Sequence, residues 1–225
     1  FRLGQSLTQT GLDPRGNVIF YEDDLRRWKD RFDKAIRLRD ASSLIGIPQF
    51  AVWELIECGI IQILSLEKDR TLEPRAACVD PVSVNRLCDA LMISATAMPA
   101  EAIELEPLRE AIKACPGPTA PWSEVLKLIL SSDIQVWKSD VEASSVVDEL
   151  MIRRGALGQM AGQLKVAIPH FLETPRLIGF TCAAALLRCS VRELNGLIAS
   201  GQISAERKFA GQMIVRRSIY EHAVK

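Results

Sequence analysis

The residues best suited to chemistry lie together near the C-terminal end. In "CSVRELNGLIASGQI" (189–203), Arg192 and Asn195 stand three apart. If Val191, Leu194, Leu197 and Ile198 fill the inward stripe of a helix, these two polar side chains face outward. Arginine can hold guanine with two hydrogen bonds in the major groove and asparagine can hold adenine, so the pair suits base contact. Arg188 precedes them in a turn, while Arg207 and Lys208, and then Arg216 and Arg217, follow. Such cations suit phosphate oxygens, which position a protein on a duplex without specifying sequence. The alternative is a set of solvated surface charges of the kind found on many proteins.

Other chemistries find little support. His170 and His222 are the two histidines, and neither stands in a metal-ligand or triad spacing. Phosphate-loop, dinucleotide and nucleophile-elbow motifs are missing from the sequence. The "EDD" run at 22–24 reads as the acidic start of a helix, where negative charge is favourable, more readily than as a metal site. The expectation is a non-enzyme with no cofactor, no metal and no small-molecule substrate. Six cysteines (58, 78, 88, 115, 182 and 189) form no CxxC pair and read as free, largely buried thiols of a cytoplasmic protein. The longest apolar stretch, "IGIPQFAVWELI", falls well short of the roughly 18 residues that cross a bilayer, so no membrane partner is expected. The chain opens at Phe1 without a methionine or signal-like segment, which predicts a piece of a longer protein.

The elements that must position the cations recur along the chain. "CAAALLRCSVRELNGLIASGQI" (182–203) predicts a helix, a turn and a second helix. Ser190 and Glu193 make a capping box, and Gly201 stops the second helix. The stretch "DASSLIGIPQFAVWELIECGII" (40–61) aligns with it without a gap. Ala41 meets Ala183, Leu44 meets Leu186, Leu55 meets Leu197, Ile56 meets Ile198 and Gly59 meets Gly201. A weaker third copy, "PWSEVLKLILSSDI" (121–134), sets Leu128, Ile129 and Ile134 on Leu197, Ile198 and Ile203, with Ser132 in place of the glycine. After Ile203 come a hairpin-like segment, "SAERKFAGQMIVRRS", and the short helix "IYEHAV"; in the first full copy "CVDPVSVNRLCDAL" plays the closing role, and the chain's opening reads as such a closing half alone. Residues 93–103 and 155–173 read as linkers, which predicts separate beads on a string.

A first helix with small and aliphatic residues, a turn ending in "CS", the helix "VRELNGLIASGQI" and a basic segment ending in "IVRRS" resemble the MerR and excisionase type of winged helix-turn-helix. That resemblance implies a second helix in the major groove and a wing on the backbone. The serial arrangement, with "LRRWKDRF" and "WSEVLKLILSSDIQVW", is similar to the C-terminal part of TniQ-type transposition proteins. Their cysteine-rich zinc region would lie upstream of Phe1. The implied fold is mainly α with short β-hairpin wings, in tandem units. They would be the wing and tail helix of a truncated unit (1–35), a full unit (36–92), a degenerate acidic unit (104–151) and a basic unit (174–225).

The chain as a whole is neutral, yet 174–225 carries eight basic residues against three acidic, and 104–151 four against nine. The last unit is therefore the better match for double-stranded DNA. In the first full unit the outward positions hold Gln49, Phe50, Trp53 and Glu54, and then Glu57. Phe50, Trp53 and Glu54 predict a protein-binding face, for transposition proteins or for a second copy, because aromatic anchors dominate interfaces. The alternative is that Phe50 and Trp53 pack against the chain itself. The expected function is a DNA-binding adaptor for target-site selection or regulation in a mobile element. A protein-interaction scaffold whose units no longer bind DNA, or a transcription regulator, are the alternatives.

Overall fold

A computed structural model describes residues 9–12, 18–20, 22–23, 26, 30, 33–64, 78–98, 104–115, 119–141, 143–160, 164, 177–208 and 211–224. It is mainly α with short β elements. No helix among these residues is long and apolar enough to cross a membrane.

The chain begins with an antiparallel hairpin of β1 (Gln9–Leu12) and β2 (Val18–Phe20). Beyond it, Glu22 and Arg26 form an exposed ion pair at 2.9 Å, four residues apart.

One order of elements then occurs three times. In the first segment β3 (Ile36–Arg37) leads into α1 (Leu38–Ile45) and α2 (Gln49–Glu57), and β4 (Cys78–Val79) leads into α3 (Pro81–Ser94). β3 pairs antiparallel with β4, and Ile63 bridges Val79. The second segment adds β5 (Ala95–Thr96), then runs β6 (Leu105–Pro107), α4 (Leu108–Ala114), α5 (Trp122–Leu130), β7 (Val136–Lys138), a 3-10 turn (Val146–Glu149), β8 (Leu150–Arg153) and α6 (Ala156–Gln159). Its sheet order is β5-β7-β8-β6. The third runs β9 (Leu177–Ile178), α7 (Phe180–Leu186), α8 (Val191–Ala199), β10 (Ala205–Lys208), β11 (Gly211–Val215) and α9 (Arg216–Val224), with order β10-β11-β9. In each segment the strand before the helix pair joins the strand that leads into the closing helix.

The second helix of each segment also ends the same way. Gly59, Ser132 and Gly201 take left-handed backbone with φ of 73°, 64° and 73°. Amides just beyond them reach back over the last turn. Ile60 N donates to Leu55 O at 3.0 Å, Asp133 N to Leu128 O at 2.9 Å and Gln202 N to Leu197 O at 2.9 Å. These bonds satisfy carbonyls that a helix end would otherwise leave open. The first helices match less closely, since Leu44 is 44% exposed whereas its counterpart Leu186 is fully buried.

The segments are not separate beads. A single apolar cluster runs through all three, with Phe50, Leu55, Ile61, Leu91, Leu108, Leu126, Ile129, Leu150, Ile178, Leu186 and Ile214 among its buried members. Each such aliphatic side chain contributes about 1.5–3 kcal/mol on leaving water. α2 and α3 both pack on α5, and α2 also meets α7. The stretches expected to be linkers take part. Ile93 and Ser94 close α3, Ala95 and Thr96 pair parallel with Val136 and Trp137, and Ala156–Gln159 is helical. The remainder of both stretches lies mostly outside the described residues.

Candidate functional site

Local chemistry fixes where α8 begins. Ser190 Oγ accepts from Glu193 N at 3.2 Å, and Ser190 N donates to Glu193 Oε2 at 2.7 Å, closing the capping box. These bonds hold the Glu193 carboxyl below its usual range. Leu194 is the only buried residue of α8, while Leu197 and Ile198 are half-buried. Val191, expected in the inward stripe, opens the helix and is 46% exposed. Arg192, Asn195, Gly196 and Ala199 leave the rest of the helix open to solvent.

The equivalent helices are closed. In α2 every residue from Phe50 to Ile56 is buried, and α5 buries Trp122, Ser123, Val125, Leu126 and Ile129. This corrects the expectation of a protein-binding face at Phe50, Trp53 and Glu54. They are 1%, 4% and 6% exposed, because α5 and α7 cover α2 from within the chain.

Two of the expected DNA-contacting cations are also turned inward. Arg188 takes left-handed backbone (φ 53°) and donates Nη2 to Ile112 O at 3.0 Å and Nη1 to Cys115 O, at the C-terminal end of α4. A cation there completes carbonyls and meets the negative end of the helix dipole. Arg216 is fully buried. Its Nη1 donates to Glu57 Oε1 at 2.6 Å, and its guanidinium carbon stands 5.8 Å from the centroid of the Tyr220 ring. Neither can reach a phosphate in this arrangement.

The others stay outside. Arg207 lies exposed on β10, and Lys208 pairs with Gly211 at the turn end of the hairpin, its side chain outside the described residues. Arg217 is exposed, with Nε donating to Glu221 Oε1 at 2.8 Å. Such a pair on a helix surface is worth only about 0.3–0.5 kcal/mol and can yield to a phosphate.

Comparison with protein-family models, curated proteins and solved structures finds no match. What the site can do therefore rests on its own residues.

Between α9 and α2 lies a polar junction that the sequence does not announce. Tyr220 Oη donates to Glu54 Oε1, so α9 is tied to α2 by that bond and by Arg216–Glu57. Burial, reinforced by the charge of Glu124, pushes the Glu54 carboxyl up to about 7. Burial likewise pushes Tyr220 up, further raised by the Glu54 charge. Partners in this junction lie 159 and 166 positions apart, a separation no periodicity can reveal. Burial raises the thiols of Cys88, Cys115, Cys182 and Cys189, which makes them weak nucleophiles at neutral pH. Among the described residues no group of three or more His, Cys, Asp and Glu could hold a metal ion.

Proposed function

We propose that the third segment is a winged helix-turn-helix unit that contacts double-stranded DNA, and that the first two segments are its platform. The observation that carries this is the openness of α8. Of three helices in the same place in three similar segments, it alone among the described residues leaves most of its side chains exposed. Its exposed face presents Arg192 and Asn195, whose donors and acceptors fit guanine and adenine edges. Arg207 and Arg217, both exposed, serve phosphates together with Lys208 of the same hairpin, and Arg188 and Arg216 hold the unit to the platform.

The proposed role is that of a non-enzymatic adaptor, with the TniQ-like order of units in the sequence as the reason to favour target-site selection or regulation in a mobile element. A middle segment with nine acidic residues against four basic repels DNA and suits a supporting part.

Binding of the chain to random-sequence duplex DNA across a salt series tests this. Three phosphate contacts give a slope of log K against log salt of about −3, and Arg217→Glu is expected to make it shallower by about one. Arg192→Glu is expected to remove most of the affinity. No binding at low salt, or an unchanged Arg192→Glu variant, would turn the account toward an architectural repeat that serves a protein partner.

A further inference from the structure

The outer face of α3 takes no part in the site above. Its inner face buries Val84, Leu87 and Leu91 in the shared core. Its outer face carries Val82, Asn85, Arg86, Asp89, Ala90 and Ile93, which together line one shallow open depression. Val82 is 59% exposed and Ile93 84%, and Asn85, Arg86 and Asp89 are exposed between them. At 100° per residue, Val82, Arg86, Asp89 and Ile93 fall in a narrow stripe along the helix, flanked by Asn85 and Ala90. Val82 and Ile93 stand about 16 Å apart at the two ends of the stripe, with Arg86 and Asp89 between them. Among the described residues neither Arg86 nor Asp89 has an ion-pair partner.

We propose that this face docks on the same face of a second copy, with the two α3 helices antiparallel about a two-fold axis. The order of residues is what identifies the occupant. When one α3 is laid antiparallel on another about a centre between Leu87 and Cys88, Val82 meets Ile93 and Ile93 meets Val82. Arg86 meets Asp89 and Asp89 meets Arg86. Asn85 and Ala90 lie on opposite flanks of the stripe, and the two-fold keeps each flank on its own side, so neither stands between the paired charges. All four residues of the stripe therefore have complementary partners under a single operation, which an isologous interface requires. A parallel pairing in register would set Arg86 on Arg86 and Asp89 on Asp89.

One helix face of this length is at the low end of specific interfaces, so association in the micromolar range is expected. The apolar ends supply most of the affinity, and the paired charges fix direction and register.

Sedimentation velocity of the full chain over a micromolar concentration series, without DNA, tests the proposal. The expected result is a reversible monomer–dimer equilibrium. Arg86→Glu alone and Asp89→Arg alone should each weaken it about tenfold or more, because each sets like charges together at both ends of the axis. The double variant Arg86→Glu/Asp89→Arg should restore it, since it exchanges the two charges and keeps every pair opposite. Ile93→Asp should abolish it, and circular dichroism should show all four variants folded, as the substituted side chains lie outside the core. A wild type that stays monomeric throughout would overturn the proposal. So would single reversals that dimerise as the wild type does, or a double variant that fails to recover.

Discussion

Glu54 and Arg216 illustrate how one side chain's surroundings decide its role. Arg216 follows the hairpin that carries Arg207 and Lys208 and looks like another phosphate ligand, yet it is fully buried against Glu57 and Tyr220. A buried ion pair adds little net stability over an apolar pair, but removing one partner is severe because the other charge stays buried. Glu54, beside it, faces the Tyr220 hydroxyl and Arg216 of α9 and Ser123 and Glu124 of α5. Its carboxyl is raised from 4.5 to about 7, chiefly by burial. Stability from this group is complete below pH 4.5 and is lost as pH rises through about 7, at a cost on the order of 3 kcal/mol when fully ionised. Glu54→Gln keeps an acceptor for Tyr220 and removes the ionisation. Thermal unfolding should find this variant more stable than the wild type at pH 8 and nearly equal to it at pH 5. Parallel pH profiles for the two proteins would contradict the assignment.

At the scale of elements, the shared helix end has an energetic consequence. Gly59 and Gly201 reach φ of 73° without a side chain, and Ser132 reaches 64° with one. For an L-residue the left-handed region costs about 1 kcal/mol, and at Gly201 a Cβ would meet nothing within 4 Å, so the cost there is purely conformational. Ser132→Gly is expected to stabilise the fold by about 0.5–1 kcal/mol and Gly201→Ala to destabilise it by a similar amount, as read by urea denaturation. This much was legible in the sequence, because a helix end is written in the few residues around it. The capping box at Ser190 and the alignment of Leu55, Leu128 and Leu197 are of the same local kind. The direction in which Phe50 and Trp53 face is not. Their pattern places them outward from α1, and only the packing of α5 and α7, supplied from far along the chain, turns that side into core. The inward turn of Arg188 is hidden for a similar reason, since the carbonyls it completes lie at the end of α4, 73 and 76 positions earlier.

For the whole molecule, the shared core joins three similar segments that differ in what they leave exposed. The first segment has its second helix enclosed, and so does the acidic second segment. The basic third segment stands on both and keeps α8 open. On the proposed reading, net neutrality is the sum of an acidic second segment and a basic third one, so that DNA would be touched at one place and not coated. The central claim is that DNA meets α8 and the hairpin after it and meets neither α2 nor α5. An NMR titration of the chain with a short duplex at low salt tests this most directly. Amide shift changes are expected in Val191–Ala199 and Ala205–Val215, with Gln49–Glu57 and Trp122–Leu130 unmoved. Changes centred on α2 or α5, or none at all, would contradict it.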